Sequence, residues 1–319
     1  MRVAAVDCGT NSVRLLVADV DATSKVDLHR EMRVVRLGQG VDRTGELAPE
    51  AIERTRVALT DYAETCRRRG VMAIRMVATS ATRDARNRRE FHDMVVEVLG
   101  VPPEVISGDE EAALSFDGAT RGLDPEDGPF LVMDIGGGST ELVLGTTGVD
   151  AARSVDVGCV RLTERHLVGD PPTQAQIAAS TADVEAGLAL VREVVPVEQA
   201  RTAIGLAGSV TTVAALALGL PAYSAEQIHL SRISAADIAT VTRTLLAMTR
   251  AARAELPVMH PGRVDVIGAG ALVLHVLVKR LGLEEVCVSE SDILDGIAWS
   301  ITGTGGERDD AVAPTRGTT

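Results

Sequence analysis

The chain has 319 residues, of which 45% are hydrophobic and 24% charged, and its formal net charge is −13 at pH 7. This balance is typical of a globular protein, and the length predicts two domains. The acidic charge argues against general nucleic-acid binding, and an aromatic content of 2% disfavours stacking on nucleobases. A polyanionic substrate would therefore require a local concentration of basic residues or a metal ion.

Membrane association and cellular compartment are also constrained by the sequence. No stretch offers about 18 uncharged apolar residues, and the N-terminus has no signal-peptide pattern, so we expect neither a membrane span nor a membrane partner. The four cysteines are scattered, at Cys8, Cys66, Cys159 and Cys287. This spacing predicts neither a disulfide framework nor a zinc site, and it favours a cytoplasmic protein.

The first half of the chain alternates predicted strands and helices. A pair of strands over 2–20 surrounds a glycine loop, and a third strand is predicted over 32–37. Pro49 begins a helix that ends near Arg69, just before Gly70. The remaining elements are a strand over 71–78, a helix over 89–99, a strand over 104–107 and a helix over about 108–122.

A polar, turn-rich stretch over 123–129 predicts the boundary between an N-terminal domain, 1–124, and a C-terminal domain, 125–301. In the second domain, strands are predicted over 131–135, 141–145, 152–157, 203–206 and 285–288. Helices are predicted from 158, over 173–194, from 207, from 234, around 268–270 and over 291–301. The tail over 302–319 is rich in Gly, Thr and Asp and is predicted to be disordered.

One glycine-rich stretch occurs twice. The pattern Asp-x-Gly-x-x-Ser begins at Asp7 and recurs 127 positions later at Asp134. Glycines allow positive φ and bring backbone N–H groups close to an anion, while Asp134 and Glu141 could hold a divalent cation or orient a water. Two such loops facing each other suit a phosphoryl-transfer enzyme. A glycine-rich hairpin without a ligand is the alternative, which the duplication disfavours.

Two further turns are candidate phosphate contacts. Thr79, Ser80 and Arg83 follow a strand at its carboxyl end, where α/β proteins bind ligands, and a helix cap is the alternative role for the hydroxyl groups. Gly208 and Ser209 open a helix whose N-terminal amides could meet a phosphate. A tight packing turn between strand and helix explains this second stretch equally well.

Three acids, Asp109, Glu110 and Glu111, stand in the first turn of a predicted helix. Acids in that position ordinarily complement the helix dipole, and this is the simpler interpretation. The dipole also predicts that such a carboxylate stays ionised. An ionised carboxylate near a phosphate is what a general base requires.

Alternating strands and helices, a duplicated Asp-x-Gly hairpin and a third glycine turn resemble the actin/Hsp70/sugar-kinase superfamily. Within it, the chain resembles the exopolyphosphatase and guanosine pentaphosphate phosphatase family over nearly its whole length, to about residue 301. The matching motifs lie at 6–12, 78–83, 106–112, 134–141 and 205–209, with later ones at 263–267 and 293–296. The resemblance implies an α/β fold of two duplicated actin-like, ribonuclease H-like domains facing a central cleft. The last helix is a candidate to pack back on the first domain.

The resemblance also implies roles for individual residues. The family's catalytic glutamate falls on Glu111, with Glu110 as the alternative and Glu141 as a further catalytic acid. The metal ligands would be Asp7, Asp134 and Glu141, which would hold Mg²⁺ or alternatively Mn²⁺. The phosphate-binding set would be Gly9, Thr10, Asn11, Ser12, Arg83, Gly136, Gly137, Gly138, Ser139, Gly208 and Ser209. Ala113 departs from the family, since many members have Arg after Glu-Glu-Ala.

The implied activity is Mg-dependent exopolyphosphatase activity, which removes the terminal phosphate of inorganic polyphosphate as orthophosphate. Longer members carry additional helical domains, so we expect this two-domain chain to act on short polyphosphates. Hydrolysis of guanosine pentaphosphate is the nearest alternative. An ATP-dependent kinase and a non-catalytic nucleotide- or polyphosphate-sensing protein are the others, and the massed acids argue against a pure sensor. The resemblance suggests a homodimer.

Overall fold

The computed structural model of the protein describes residues 1–303. Residues 302 and 303 of the predicted tail, 302–319, belong to the last helix, and the rest of the tail lies outside the described residues. The described chain forms two β-sheets, with helices packed against both of them. In this part of the chain no helix combines the length and the apolar character that a membrane crossing requires.

The first sheet surrounds the first glycine loop. Its strands are β1 (Arg2–Cys8), β2 (Ser12–Val20), β3 (Lys25–Val34), β4 (Ala73–Ala78) and β5 (Glu104–Val105). They lie in the order β3-β2-β1-β4-β5, with β1 and β2 antiparallel and β4 and β5 parallel to β1. The prediction of a strand over 32–37 was wrong in its bounds. As an edge strand β3 buries few side chains, so its hydrophobic alternation is weak.

The second sheet repeats this plan around the second glycine loop. Its strands are β6 (Phe130–Ile135), β7 (Thr140–Gly145), β8 (Val149–Val155), β9 (Thr202–Leu206), β10 (Arg232–Ser234) and β11 (Glu285–Val288). They lie in the order β8-β7-β6-β9-β11-β10, in which β6 and β7 are antiparallel and β9 and β11 run parallel to β6. Strand order and direction therefore match the first sheet, and the predicted duplicated α/β fold is confirmed.

Helices connect and cover the strands. They are α1 (Val41–Thr44), α2 (Pro49–Arg68), α3 (Ser80–Asp84), α4 (Arg88–Leu99), α5 (Gly108–Thr120), α6 (Cys159–Arg165), α7 (Gln174–Arg192), α8 (Ala207–Ala217), α9 (Ala225–Ile228), α10 (Ala235–Ala247), α11 (Arg250–Ala254), α12 (Ile267–Leu281) and α13 (Ile293–Gly303). The predicted helices are present within a few residues of their expected bounds. The short helices α1, α9 and α11 were missed because four or five residues do not define a hydrophobic period.

Two helices link the sheets. Helix α13 packs its Ile297 against Val3 and Leu16 of the first sheet. Helix α5 precedes the predicted boundary at residue 124, yet its Phe116 packs among Val132 and other buried residues of the second sheet. The two helices also contact each other extensively, so the cleft between the sheets is spanned by one helix pair.

The crossing of α5 and α13 depends on two glycines. A Cβ atom added to Gly118 would lie 2.9 Å from the backbone nitrogen of Gly296, and one added to Gly296 would lie 2.8 Å from the carbonyl carbon of Leu114. Only glycine lets the two backbones approach this closely. The crossing fixes the start of α13, and Asp292 just before it reaches into the cleft.

Candidate active site

The two glycine loops face each other at the carboxyl ends of β1 and β6. A Cβ atom on Gly137 would lie 2.8 Å from Thr10 Cβ, and one on Gly138 would lie 2.7 Å from Thr10 Oγ1. Thr10 is also hydrogen-bonded to Ser80, with 2.8 Å between the hydroxyl oxygens. Side chains on these two glycines would therefore force the loops apart, which explains the residue type at both positions.

The first loop turns its amide groups into the cleft because its carbonyl groups are held from behind. The carbonyl of Thr10 accepts a hydrogen bond from the Gly38 amide at 2.8 Å, and that of Asn11 accepts one from the Arg36 amide at 2.8 Å. In a planar trans peptide the N–H of the following residue points the opposite way. The N–H groups of Asn11 and Ser12 therefore face the cavity that these residues line.

The second loop has the same arrangement, with the start of α6 behind it. The carbonyl of Gly136 accepts from the Cys159 amide at 3.0 Å, and that of Gly137 accepts from the Val160 amide at 2.8 Å. The carbonyl of Gly138 accepts from Arg161 Nε at 2.8 Å. The N–H groups of the next residue in each case, Gly137, Gly138 and Ser139, consequently point towards the cavity.

The cavity between the loops brings together most of the predicted site residues. Its lining includes Asp7, Gly9, Thr10, Asn11, Ser12, Glu111, Asp134, Gly136, Gly137, Gly138, Ser139, Gly208 and Ser209. The third wall is the start of α8, where Ala207 adopts a left-handed φ of 68°. Backbone strain in a non-glycine residue is common at functional sites, and Ala207 lines the cavity together with Gly208 and Ser209.

Glu111 is the carboxylate of α5 that reaches this cavity. Ser107 caps the helix, and the Glu111 side chain accepts a hydrogen bond from Arg83 Nη1 at 3.2 Å. Burial raises the pKa of Glu111 to about 8, and the nearby carboxylates Asp134 and Asp7 add to the rise against the opposing effect of Arg83. The prediction that the helix dipole keeps this carboxyl ionised was therefore wrong at neutral pH, because desolvation outweighs the dipole.

Two further acids lie on the β6–β7 hairpin. Asp134 and Glu141 are directly opposite in the strand register, and each accepts a serine hydroxyl bond of 2.6 Å, from Ser115 and Ser154 respectively. Burial raises the pKa of Asp134 to about 6. Burial, followed by repulsion from Glu111 and Asp134, raises the pKa of Glu141 well above its usual range. Glu141 is almost completely buried and does not line the cavity itself.

The predicted metal ligands do not form a ready-made cluster. Within residues 1–303, no group of three or more His, Cys, Asp and Glu side chains is arranged to hold a metal ion. Asp7 is already bound by Arg14, from Nε at 3.0 Å and Nη2 at 2.7 Å. Mg²⁺ is commonly held by one or two carboxylates together with substrate phosphates. Asp134, which lines the cavity, fits that smaller ligand set, whereas Glu141 does not line the cavity.

Three predicted site residues are absent from the lining of the cavity: Glu141, described above, Arg83 and Glu110. Arg83 does not line it, and its Nη1 donates to the carbonyl of Ile106 at 3.0 Å as well as to Glu111. Glu110 is paired with Arg75 at 2.8 Å. Successive residues on a helix point about 100° apart, so Glu110 and Glu111 cannot both face the cleft.

Sequence reasoning missed two arginines that line the cavity, Arg14 and Arg263. Arg14 binds Asp7 and also contacts Asp292, 278 residues further along the chain. Arg263 lies over Gly208, where a Cβ atom would be 2.6 Å from its Nε, and donates to Thr212 Oγ1 at 3.0 Å. The duplication could have identified Arg14 as a site residue, because Arg14 is the position in the first repeat that corresponds to Glu141 in the second.

The raised pKa of Glu141 predicts a stability change that depends on pH. The folded protein retains a proton that the unfolded chain releases near the ordinary pKa, so stability falls as pH rises towards the folded-state pKa. Without divalent cations, Glu141→Gln should therefore raise the Tm at pH 8 by roughly 2–4 °C, the shift that about 1 kcal/mol produces. At pH 5 the two proteins should unfold together, and an equal difference at both pH values in calorimetry would contradict the explanation.

Two opposed glycine loops around buried acids are typical of the phosphoryl-transfer class of proteins. The comparison with protein families agrees with this class. The model of the Ppx/GppA phosphatase family matches residues 16–304, and the chain belongs to that family.

Individual relatives resemble the chain over nearly its full length. It is 53% identical to Exopolyphosphatase 2 of Mycobacterium tuberculosis over 315 residues, which cover 95% of this chain and 99% of that one. A solved exopolyphosphatase-like protein is 45% identical, with a TM-score of 0.91 over 94% of this chain and 97% of its own. The Aquifex aeolicus PPX-GPPA enzyme is 30% identical, with a TM-score of 0.79 over 94% and 99% of the two chains.

Proposed function

We propose that the protein is an exopolyphosphatase that hydrolyses the terminal phosphoanhydride bond of inorganic polyphosphate and releases orthophosphate. The observation that carries the proposal is the cavity in which amides of two opposed glycine loops border the buried carboxyl of Glu111. The name of the relative at 53% identity, Exopolyphosphatase 2, supports the substrate class. The description of the family as phosphatases supports the reaction class.

In the proposed reaction the terminal phosphoryl group lies between the loops, where the N–H groups of Ser12 and Ser139 and their neighbours stabilise charge on its oxygens. Glu111 accepts a proton from water. The water oxygen bonds to phosphorus while the bond from phosphorus to the bridging oxygen breaks, and that electron pair leaves with the shortened chain. Asp134 would hold Mg²⁺ or Mn²⁺, which would neutralise phosphoryl oxygens when bound.

Arginine side chains beside the cavity offer a path for the rest of the polyphosphate substrate. Arg14 and Arg263 line both the cavity between the loops and an adjoining cavity of about 480 Å³, whose walls also include Arg30 and the acids Glu31, Glu290 and Asp292. Arg14 and Arg30 are paired with acids, so Arg263, which donates to the Thr212 hydroxyl, is the arginine that offsets the net charge of −13 locally. We therefore place the remaining phosphates beside Arg263, towards the adjoining cavity.

The proposal is tested by measuring orthophosphate release from polyphosphates of defined short and long length in the presence of Mg²⁺. Guanosine pentaphosphate and ATP serve as comparison substrates. We expect release from polyphosphate, with short chains preferred. Turnover of guanosine pentaphosphate or ATP without release from polyphosphate would overturn the substrate assignment while leaving the phosphate loops in place.

One observation favours a second candidate, hydrolysis of guanosine pentaphosphate. The adjoining cavity is partly apolar, with Met32, Val258, Met259 and Tyr223 in its walls, and it is large enough for a nucleoside. The chemistry at the terminal phosphate would be the same, and the cavity would hold the leaving nucleotide. The comparison of initial rates on the two substrates separates these candidates.

The setting of the enzyme is also part of the proposal. We place it in the cytoplasm as a homodimer without nucleic-acid or membrane partners. The four cysteines are free and buried, as suits a reducing compartment. Light scattering of the purified protein measures the mass of the particle, and a monomer at working concentration would contradict the dimer.

A further inference from the structure

We propose that Arg161 is a positioning residue for the second glycine loop: its guanidinium orients the peptide between Gly138 and Ser139 so that the Ser139 N–H faces the reacting phosphate. The inference rests on the proposed function, in which that N–H stabilises charge on the terminal phosphoryl group. Arg161 itself contacts neither substrate nor the reacting atoms.

The contact to Gly138 differs in kind from the others that hold the loops. Backbone amides bind the carbonyls of Thr10 and Asn11 in the first loop, and those of Gly136 and Gly137 in the second. The carbonyl of Gly138 instead accepts from a side chain, Arg161 Nε, at 2.8 Å. The orientation of this one peptide therefore depends on where a guanidinium group is held.

The first half of the chain holds that guanidinium. Arg161 Nη2 donates to Asp84 at 2.7 Å and lies 3.6 Å from Asp156 in the second half of the chain, and Nη1 donates to Asp42. Asp42 lies on α1 and Asp84 on α3, both on the far side of the cleft from α6. The side chain is only 12% exposed, so these ion pairs are little screened by solvent. The planar guanidinium of arginine can therefore bind the loop through Nε and the acids through its two other nitrogens at the same time.

The start of α6 gives this contact its fixed geometry. A Cβ atom on Gly158 would lie 2.5 Å from the carbonyl carbons of Gly137 and Gly138, so α6 begins in direct contact with the loop. The amides of Cys159 and Val160 bind the loop's first two carbonyls. The next residue, Arg161, binds the third carbonyl of the loop, that of Gly138, with its side chain and not with its backbone amide.

Arg165, on the same helix, provides a matched control. It also pairs with Asp42, at 2.9 Å, but its other partner is Asp183 at 2.9 Å and not the loop. We expect Arg161→Gln to lower kcat on polyphosphate by roughly 10–10²-fold, less than the 10²–10³ found on removing an oxyanion donor outright. KM should change less than about 3-fold, because the contact matters most in the transition state. Arg165→Gln should keep kcat within about 2-fold.

A conservative variant separates positioning from simple stability. Arg161→Lys keeps a positive charge that can pair with Asp84 but loses the planar fork, so its Tm should stay near that of the wild type while kcat falls as in Arg161→Gln. Full kcat in Arg161→Lys, equal losses in the Arg161→Gln and Arg165→Gln variants, or a change confined to KM would overturn the proposal.

A binding measurement keeps this test independent of the substrate. If the wild type releases no orthophosphate from polyphosphate, the proposed function fails, and orthovanadate is titrated calorimetrically into the wild type and both glutamine variants. Its five-coordinate form resembles the in-line phosphoryl transition state. At least 10-fold weaker binding in Arg161→Gln, with unchanged binding in Arg165→Gln, would support the positioning role. Equal binding in all three proteins, or none to the wild type, would overturn it.

Discussion

The Glu111→Gln variant is expected to lose a factor of about 10²–10⁴ in kcat for orthophosphate release, the usual contribution of a general base. Glu111 lines the cavity between the two loops, and burial raises its pKa to about 8. Glutamine has nearly the same shape and can still accept the hydrogen bond from Arg83. The substitution therefore removes the proton acceptor and leaves the fold, which thermal unfolding of the variant would verify.

The pH dependence of the wild type provides a second measurement of the same assignment. Because the ionised fraction of Glu111 grows as pH rises through about 8, kcat/KM of the free enzyme should rise over that range. A cation bound beside the carboxyl would favour its charged form and move this limb to lower pH. The residual activity of Glu111→Gln should not show this rise of kcat/KM with pH.

The neighbouring acid supplies the control. Glu110 is exposed and paired with Arg75, so Glu110→Gln should retain kcat within about 2-fold. The Glu110→Gln and Glu111→Gln variants together decide which of the two acids is the general base. Loss of activity in Glu110→Gln with retention in Glu111→Gln would reverse the assignment, and retention in both would exclude a carboxylate of α5 as the base.

The duplicated hairpins show what this sequence predicts well. Asp-x-Gly-x-x-Ser is a local pattern in which the glycines dictate the turn and the apolar runs on either side dictate the strands. Its repetition from Asp7 to Asp134 therefore predicted two opposed loops, and the structure shows the same strand order around each of them. These features depend on residues close together in the chain.

Features that depend on distant residues escaped prediction. Arg14 meets Asp292 only because α13 returns to the first sheet, and Arg263 reaches Gly208 from the segment before α12. The charge state of Glu111 likewise depends on burial and on Asp134, neither of which is visible in the helix that carries it. Local sequence identifies chemically capable residues, and tertiary packing decides which of them share an environment.

The Gly118→Ala variant tests the packing that delivers Asp292 to the site. Its Cβ atom would lie 2.7 Å from the carbonyl carbon of Asp292 and would also overlap the carbonyl oxygen, so α5 and α13 must separate. We expect a loss of about 3 kcal/mol in the free energy of unfolding, the upper end for overpacking against a rigid neighbour. In calorimetry this corresponds to a Tm lower by roughly 6–12 °C.

The same substitution four residues later isolates this effect, because Gly122 has open space around its Cβ position and no left-handed φ. Gly122→Ala should change stability by no more than about 0.5 kcal/mol. The folded fraction of Gly118→Ala should also turn over more slowly than the wild type, since a displaced Asp292 no longer holds Arg14 beside Asp7. If both alanine variants unfold at the wild-type temperature, the helix crossing is not the rigid contact that positions Arg14. If Gly118→Ala is destabilised yet fully active when folded, the crossing supports the fold without controlling the site.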